Sequence, residues 1–205
     1  MDVTYSTEAI IIKRTAWREV DSLVTVYTHE SGKLELLARG TAKISSRLAG
    51  HLEPLNRVRL MVINGRSKSY VGAVETLDTF YNIKTDLAKL KWVGMWLANF
   101  NKRVQVNQSD NEVYKLLVMS LINFNAKQSS SLYYQALGSL YFLKLCAMQG
   151  EGLDWSNQQY RDLLEGLSMS ELDSKLNLLN QGQVPSLTKT QAETVISLAT
   201  LILAE

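Results

Sequence analysis

The sequence predicts an α+β fold in which a small β-barrel precedes an all-helical domain. The first observation is a change of hydrophobic period: up to residue 80 apolar and polar residues alternate, and from Thr85 onward apolar residues recur at helical spacing. The second is the number and spacing of the strands. Five strand-like segments occupy about seventy residues, with the longest connection between the third and the fourth, as in a Greek-key barrel of OB type. An SH3-like barrel would show similar strands. The predicted boundaries are residues 1–80 for an N-terminal OB-fold barrel and 81–205 for the helical domain.

Each strand follows from its residues. Ala9 to Arg14 is β-branched and apolar, and Ser22 to Thr28 alternates with Val24 and Val26 on one face. The turn His29-Glu30-Ser31-Gly32 leads into Lys33 to Arg39, whose Leu34, Leu36 and Ala38 face away from Lys33, Glu35 and Arg39. That is a hairpin. Arg57 to Ile63 turns Val58, Leu60 and Val62 inward and Arg57 and Arg59 outward. Asn64-Gly65, both tolerant of positive φ, then returns the chain through Ser69 to Glu75.

Helical period marks the remainder. Leu87, Leu90, Val93, Leu97, Phe100 and Val104 line one face of a first helix, and Trp92 and Trp96 give it a second apolar face. Asp110 is placed to cap a second helix through Leu121. Leu132 to Met148 is apolar nearly all round and should lie at the centre of a bundle. After the break QGEGLDWSN come shorter helices over Gln158 to Gly166 and Ser170 to Asn180. Thr188 then caps a last helix striped by Ala192, Val195, Ile196, Ala199 and Ile202.

Composition narrows the class. Of 205 residues 46% are hydrophobic, enough to bury a core. The most apolar window, Leu132 to Met148, is interrupted by Gln135, Ser139 and Lys144 and is shorter than a usual membrane span. The N-terminus alternates instead of forming an apolar signal run. The lone Cys146 excludes an intrachain disulfide and any multi-cysteine metal site, and suits a reducing cytoplasm.

Charge is distributed unevenly. Residues 1–80 hold 11 Lys and Arg against 9 acids, residues 81–150 hold 8 against 3, and residues 151–205 hold 3 against 8. Within the first block, Lys33 to Lys68 carries 8 cations against Glu35 and Glu53 alone. Such a local excess resembles an electrostatic footprint for a phosphate backbone more than a scattered surface, with an ordinary solvated basic loop as the alternative. The stretch RGTAKISSRLAGHLEPL, Arg39 to Leu55, places Arg39, Lys43 and Arg47 at every fourth position with no acid before Ala49. A helical turn would put the three on one side, and an open loop would fan them outward. The candidate phosphate contacts are Lys33, Arg39, Lys43, Arg47, Arg57, Arg59, Arg66 and Lys68. Nearby aromatics are few, namely Tyr27, Tyr70 and Trp17, so binding should be electrostatic and sequence-independent with little base stacking.

Catalytic motifs are absent. There is no GxxxxGK[ST], no HExxH and no GxSxG. His29 sits among turn residues, His51 reads as a loop-fixing hydrogen-bonder, and Glu19 with Asp21 reads as an acid pair or as ordinary turn carboxylates. The expectation is a non-catalytic protein with no cofactor.

The run ARGTAKISSRLAGHLEPL resembles the signature region of the RecO family of bacterial recombination mediators, in which a strand ending in ARG gives way to a basic loop and an SRLAGxLEP-like segment. The likeness extends back through EAIIIKRTAWREVDSLVTVYTHESGKLELLARG and forward into VRLMVINGR, covering Glu8 to Phe80. Beyond Phe80 only a helical pattern of similar order remains. The resemblance implies an OB-fold, binding to single- and double-stranded DNA, and annealing of complementary strands. It also implies help in loading RecA, with RecR and RecF, onto DNA coated by single-strand binding protein. A cytoplasmic, nucleoid-associated protein with no membrane contact would follow.

Family members also use the helical domain to hold the acidic C-terminal tail of single-strand binding protein. Here Lys102, Arg103, Lys115, Lys127 and Lys144, with many aromatic and Leu residues, supply the composition such a peptide needs. The chain departs from the pattern at QGEGLDWSNQQY, where many relatives carry a four-cysteine zinc module. Cys146 with the distant His29 and His51 cannot complete a tetrahedral site, so folding without zinc is expected. The C-terminal region is also shorter than usual and lacks the basic tail some members have, so DNA contact by the helical domain is expected less firmly than contact by the barrel. A non-catalytic interaction scaffold and a generic RNA- or DNA-binding OB protein are the alternatives.

Overall fold

A computed structural model describes residues 3–126, 130–153, 156–164 and 166–204. Among the described residues five strands come first: β1 (Val3–Trp17), β2 (Asp21–Thr28), β3 (Gly32–Ala38), β4 (Arg57–Asn64) and β5 (Ser69–Asp78). Seven helices follow among the described residues: α1 (Tyr81–Lys84), α2 (Leu87–Arg103), α3 (Asn111–Asn125), α4 (Ser131–Met148), α5 (Gln158–Asp162), α6 (Met169–Asn180) and α7 (Lys189–Ala204). The fold is α+β. The chain divides into two compact units, the first comprising Met1–Phe80 with Asn101–Tyr114, the second Tyr81–Phe100 with Lys115–Glu205.

In the first unit the strands close in the order β1-β2-β3-β5-β4, with β4 returning to β1. This is OB-type connectivity. Long β1 serves two neighbours: Val3 to Ile10 pairs with β4, Ala9 to Trp17 pairs with β2, and a register shift between Ile11 and Lys13 bends it from one to the other. The β3–β5 seam is parallel and short, with Leu36 opposite Ser69 and Leu37 opposite Tyr70. Alternation selects the core. Ala9, Ile11, Val24, Val26, Leu36, Val58, Leu60 and Val62 fill the interior, and Leu52, from the long β3–β4 connection, plugs it. Burying each larger side chain contributes about 1.5–3 kcal/mol.

The β4–β5 hairpin forms at Asn64-Gly65, yet neither residue adopts positive φ. Close approach explains the glycine instead, since a Cβ at Gly65 would lie 2.8 Å from the Lys68 carbonyl oxygen and 2.9 Å from Tyr70 Cε2. Segment 101–114 lies against the β2–β3 hairpin. Val106 bridges Lys33 in parallel, and the Asn107 amide donates to the Lys33 carbonyl at 3.0 Å. Gly32, at φ +65°, faces the Gln108 carbonyl so closely that a Cβ would lie 2.0 Å from its oxygen. No side chain fits there.

In the second unit α4 is buried along most of its length and packs on α6 and α7. Side-chain caps set the helix starts: Ser130 accepts from the Tyr133 amide, Ser168 and Glu171 form a capping box, and Thr188 accepts from the Gln191 amide. The Trp96 indole donates to Ser120 Oγ at 2.8 Å. The predicted stripe of the first helix is corrected at its start. Leu87 and Leu90 are exposed, and the buried face runs through Lys89, Val93, Trp96, Leu97 and Phe100. Buried Lys89 is accommodated because its ammonium donates to the Ala126 carbonyl at 2.6 Å and lies over the Tyr134 ring.

Candidate nucleic-acid interface

The basic stretch after β3 is a succession of turns, neither helix nor open loop. Its ends are anchored. The Gly40 amide donates to Asp21 Oδ1 at 2.8 Å, the Ala42 amide to the Val20 carbonyl at 2.9 Å, and Thr41 Oγ1 to Ser22 Oγ at 2.7 Å. Arg14 reaches across, donating from Nη1 to the Ala49 carbonyl at 2.8 Å and from Nη2 to the Thr41 carbonyl at 3.4 Å. Asn56 Nδ2 holds the Gly50 and His51 carbonyls at 2.9 and 3.0 Å. Leu55, at φ 77°, directs its amide to the Ile11 carbonyl at 2.8 Å and so continues the β1–β4 ladder. What remains outside is a fixed crest of exposed Lys43, Ile44, Ser45 and Arg47.

The eight candidate cations fall into three groups. Lys43, Arg47 and Arg66 are exposed, with no side-chain hydrogen bond or ion pair among the described residues. Arg39 and Lys68 are also exposed but rest on aromatic faces: the Arg39 guanidinium lies 4.5 Å from the Tyr70 ring centre and the Lys68 ammonium 4.0 Å from that of Trp17. The other three are committed within the protein. Arg57 donates to Glu8 at 2.6 Å, and Arg59 reaches Glu8 at 3.3 Å and Glu75 at 3.2 Å. Hydrogen bonding from Arg57, reinforced by Arg59, outweighs burial and holds the Glu8 carboxyl below the usual range. Lys33 donates to the Asn101 and Val104 carbonyls at 2.6 and 3.3 Å. These are carbonyls at the C-terminal end of α2, where positive charge is favoured.

A groove of about 500 Å³ lies beside this basic surface, lined by Trp17, Leu34, Glu35, Arg66, Ser67 and Lys68 among others. Trp17 and Tyr70 are half-buried, so each keeps some exposed surface. Tyr27 is only 1% exposed and offers no stacking face, and burial pushes its phenol up to about 12. Asp21 is a turn carboxylate, spent on Gly40, and does not pair with Glu19. His51 Nδ1 lies 2.7 Å from Thr76 Oγ1, fixing the loop. His29 packs edge-on to Tyr114. Two positions escaped the sequence reading. Arg14 looked like one more strand residue although it ties the loop down, and Arg18, exposed at φ 56° beside Trp17, lies in the tight β1–β2 turn.

The second unit has its own small cavity of about 70 Å³, lined by Trp92, Met95, Phe142, Ile196, Ala199 and Leu203 among others. No charged residue lines it. The nearby cation is one not anticipated: the Lys91 ammonium lies 4.6 Å from the centre of the Trp92 ring. Of the cations expected to rim a pocket, Lys144 is buried, which lowers its pKa against the opposing pull of Asp173. Lys102 and Arg103 belong to the first unit. Lys127 lies outside the described residues, as do Asp154 and Trp155 of the QGEGLDWSN break. Among the described residues no cluster of three His, Cys, Asp or Glu side chains is placed to hold a metal, and no helix is long and apolar enough to cross a membrane.

Comparison with known proteins agrees with this geometry. The family described as "Recombination protein O N terminal" matches residues 1–80. A DNA repair protein RecO from Roseiflexus sp. (strain RS-1) is 35% identical over 136 residues, covering 66% of this chain and 47% of the relative. Its namesake from Thermoanaerobacter sp. (strain X514) is 29% identical over 144 residues, covering 70% and 57%. That from Bifidobacterium longum subsp. infantis is 28% identical over 148 residues, covering 71% and 61%. The chain thus spans about half the length of the curated relatives it matches. Sheet, signature loop and relatives point the same way: residues 1–80 match the N-terminal domain of recombination protein O, and the chain is similar to DNA repair proteins named RecO.

Proposed function

We propose that the barrel unit binds single- and double-stranded DNA through the phosphate backbone. On this reading the protein anneals complementary strands and, with RecR and RecF, assists the loading of RecA onto DNA coated by single-strand binding protein. The observation that carries the reading is the anchored crest: Lys43 and Arg47 stand exposed on a loop whose ends are fixed by Asp21, Arg14 and Asn56, with Arg39, Arg66 and Lys68 as further exposed cations. A fixed array of cations meets phosphates without first ordering a loop, so little conformational entropy is lost on binding. The working set is therefore Arg39, Lys43, Arg47, Arg66 and Lys68, with Lys33, Arg57 and Arg59 in structural roles.

The helical unit takes the partner role. Its apolar cavity, with Lys91 beside Trp92, offers an apolar floor and a cation to the acidic, apolar-ended tail of single-strand binding protein. The protein acts as a non-catalytic mediator, cytoplasmic and associated with the nucleoid. Salt-dependent binding to single-stranded DNA, duplex DNA and RNA of equal length tests the assignment, together with annealing of strands coated by single-strand binding protein. Steep salt dependence on both DNA forms and accelerated annealing are expected. Binding to RNA alone, or to no nucleic acid at low salt, would overturn it.

A further inference from the structure

Two aromatic rings beside the cationic crest are half-buried, and each carries a cation on its face. Lys68 covers Trp17 at 4.0 Å and Arg39 covers Tyr70 at 4.5 Å. The turn between β4 and β5 links both pairs: Lys68 leaves it toward Trp17, and Gly65 backs against the Tyr70 ring so closely that a Cβ would lie 2.9 Å from Cε2. Trp17, Gly65 and Lys68 all line the 500 Å³ groove, whose size falls in the range that holds small organic groups.

A cation on an exposed ring is weakly held, because water competes for it. A phosphate competes better, forming a charge-assisted hydrogen bond with the same ammonium or guanidinium. Once the cation has turned to a phosphate, the vacated ring face suits the flat face of a nucleobase. We propose that Trp17 and Tyr70 are stacking platforms for unpaired bases, covered by Lys68 and Arg39 in the free protein and uncovered when a strand's phosphates draw those cations away. This inference rests on the DNA-binding reading above and adds to it a means of telling strands apart. Cations serve any phosphate backbone, whereas bases inside a duplex are already stacked on one another. The two rings therefore favour single strands.

Glu35 also lines the groove and repels phosphate, which directs the strand toward the Arg66 and Lys68 side.

The test compares oligo-dT, an abasic oligomer of the same length and charge, and a duplex, using the full chain and its Trp17→Ala, Tyr70→Ala, Trp17→Phe and Lys68→Ala variants. Trp17→Ala and Tyr70→Ala should each weaken oligo-dT binding by about 5- to 150-fold, the range for loss of one stacked base. Duplex and abasic binding should stay within about twofold, because neither offers a base to stack. Trp17→Phe should restore most of the oligo-dT affinity and so show that the ring, and not a misfolded strand end, is responsible. Lys68→Ala should flatten the salt slope by about 0.7 while keeping the preference for oligo-dT over the abasic strand. Equal losses on oligo-dT and duplex, or wild-type protein holding the abasic strand as tightly as oligo-dT, would overturn the proposal and leave DNA binding intact. Wild-type protein that binds none of the three would instead overturn DNA binding itself, and the proposal with it.

Discussion

The division among the cations makes a quantitative prediction. Replacing Arg39, Lys43 and Arg47 together by Ala removes three exposed charges, and replacing Arg57 and Arg59 removes two that are already paired with Glu8 and Glu75. Each phosphate contact contributes about −0.7 to the slope of log affinity against log salt on single strands and about −0.9 on duplex. The triple variant should therefore flatten the slope by about 2.1 units on single strands and about 2.7 on duplex. Over a fourfold rise in salt, the wild type should lose about 20-fold more single-strand affinity than the triple variant. The Arg57/Arg59 pair should change the slope by less than about 0.5, since its charge is balanced by carboxylates 2.6 to 3.3 Å away. Fluorescence anisotropy between about 50 and 400 mM KCl reads both slopes. Equal flattening by the two variants would place the DNA along the β1–β4 face and refute the grouping.

Other outcomes follow from the same geometry. Because Arg57 holds the Glu8 carboxyl low, the pairing stabilises the fold above the usual carboxylate pKa and is lost as pH falls through the depressed folded value. Glu8→Gln should cost about 0.2–1 kcal/mol at neutral pH, a gap that closes between about pH 5 and pH 3 in urea melts; a gap unchanged at pH 3 would show that charge is not its source. Gly32→Ala should cost at least about 1–2 kcal/mol from its left-handed backbone alone. It should also lower hydrogen-exchange protection at the Asn107 amide, which pairs with the Lys33 carbonyl at 3.0 Å, and retained protection would count against the contact with segment 101–114. Chelator should leave the melting temperature unchanged, because Cys146 is the lone cysteine; a drop on chelation, or stoichiometric metal in the purified protein, would show a structural site.

The strands and core were legible because a two-residue period states which side chains face inward, and Val58, Leu60 and Val62 do so at 0, 1 and 0% exposure. Asn64-Gly65 located its hairpin correctly, but the glycine is needed for the approach of Tyr70 and not for positive φ. The candidate site was only half legible. Lys33, Arg57 and Arg59 look no different in sequence from Arg39, since what removes them lies far along the chain. Glu8 is 49 residues from Arg57, and the Asn101 carbonyl is 68 residues from Lys33. A charge count over Lys33 to Lys68 includes neither. Arg14 was overlooked for the same reason: its carbonyl partners at Thr41 and Ala49 are reached only after the barrel has closed.

The return of Asn101–Tyr114 to the first unit matters while the protein is being synthesised. All five strands have left the ribosome soon after Phe80, but the stretch that lies against Gly32 and Lys33 is completed only at Tyr114, 34 residues later. At about 5–20 residues per second that lag lasts about 2–7 s. Throughout it the nascent barrel lacks both the Asp110 backbone beside Tyr27 and the α2 carbonyls that receive the Lys33 ammonium. A fragment ending at residue 80 would hold the same unfinished state permanently.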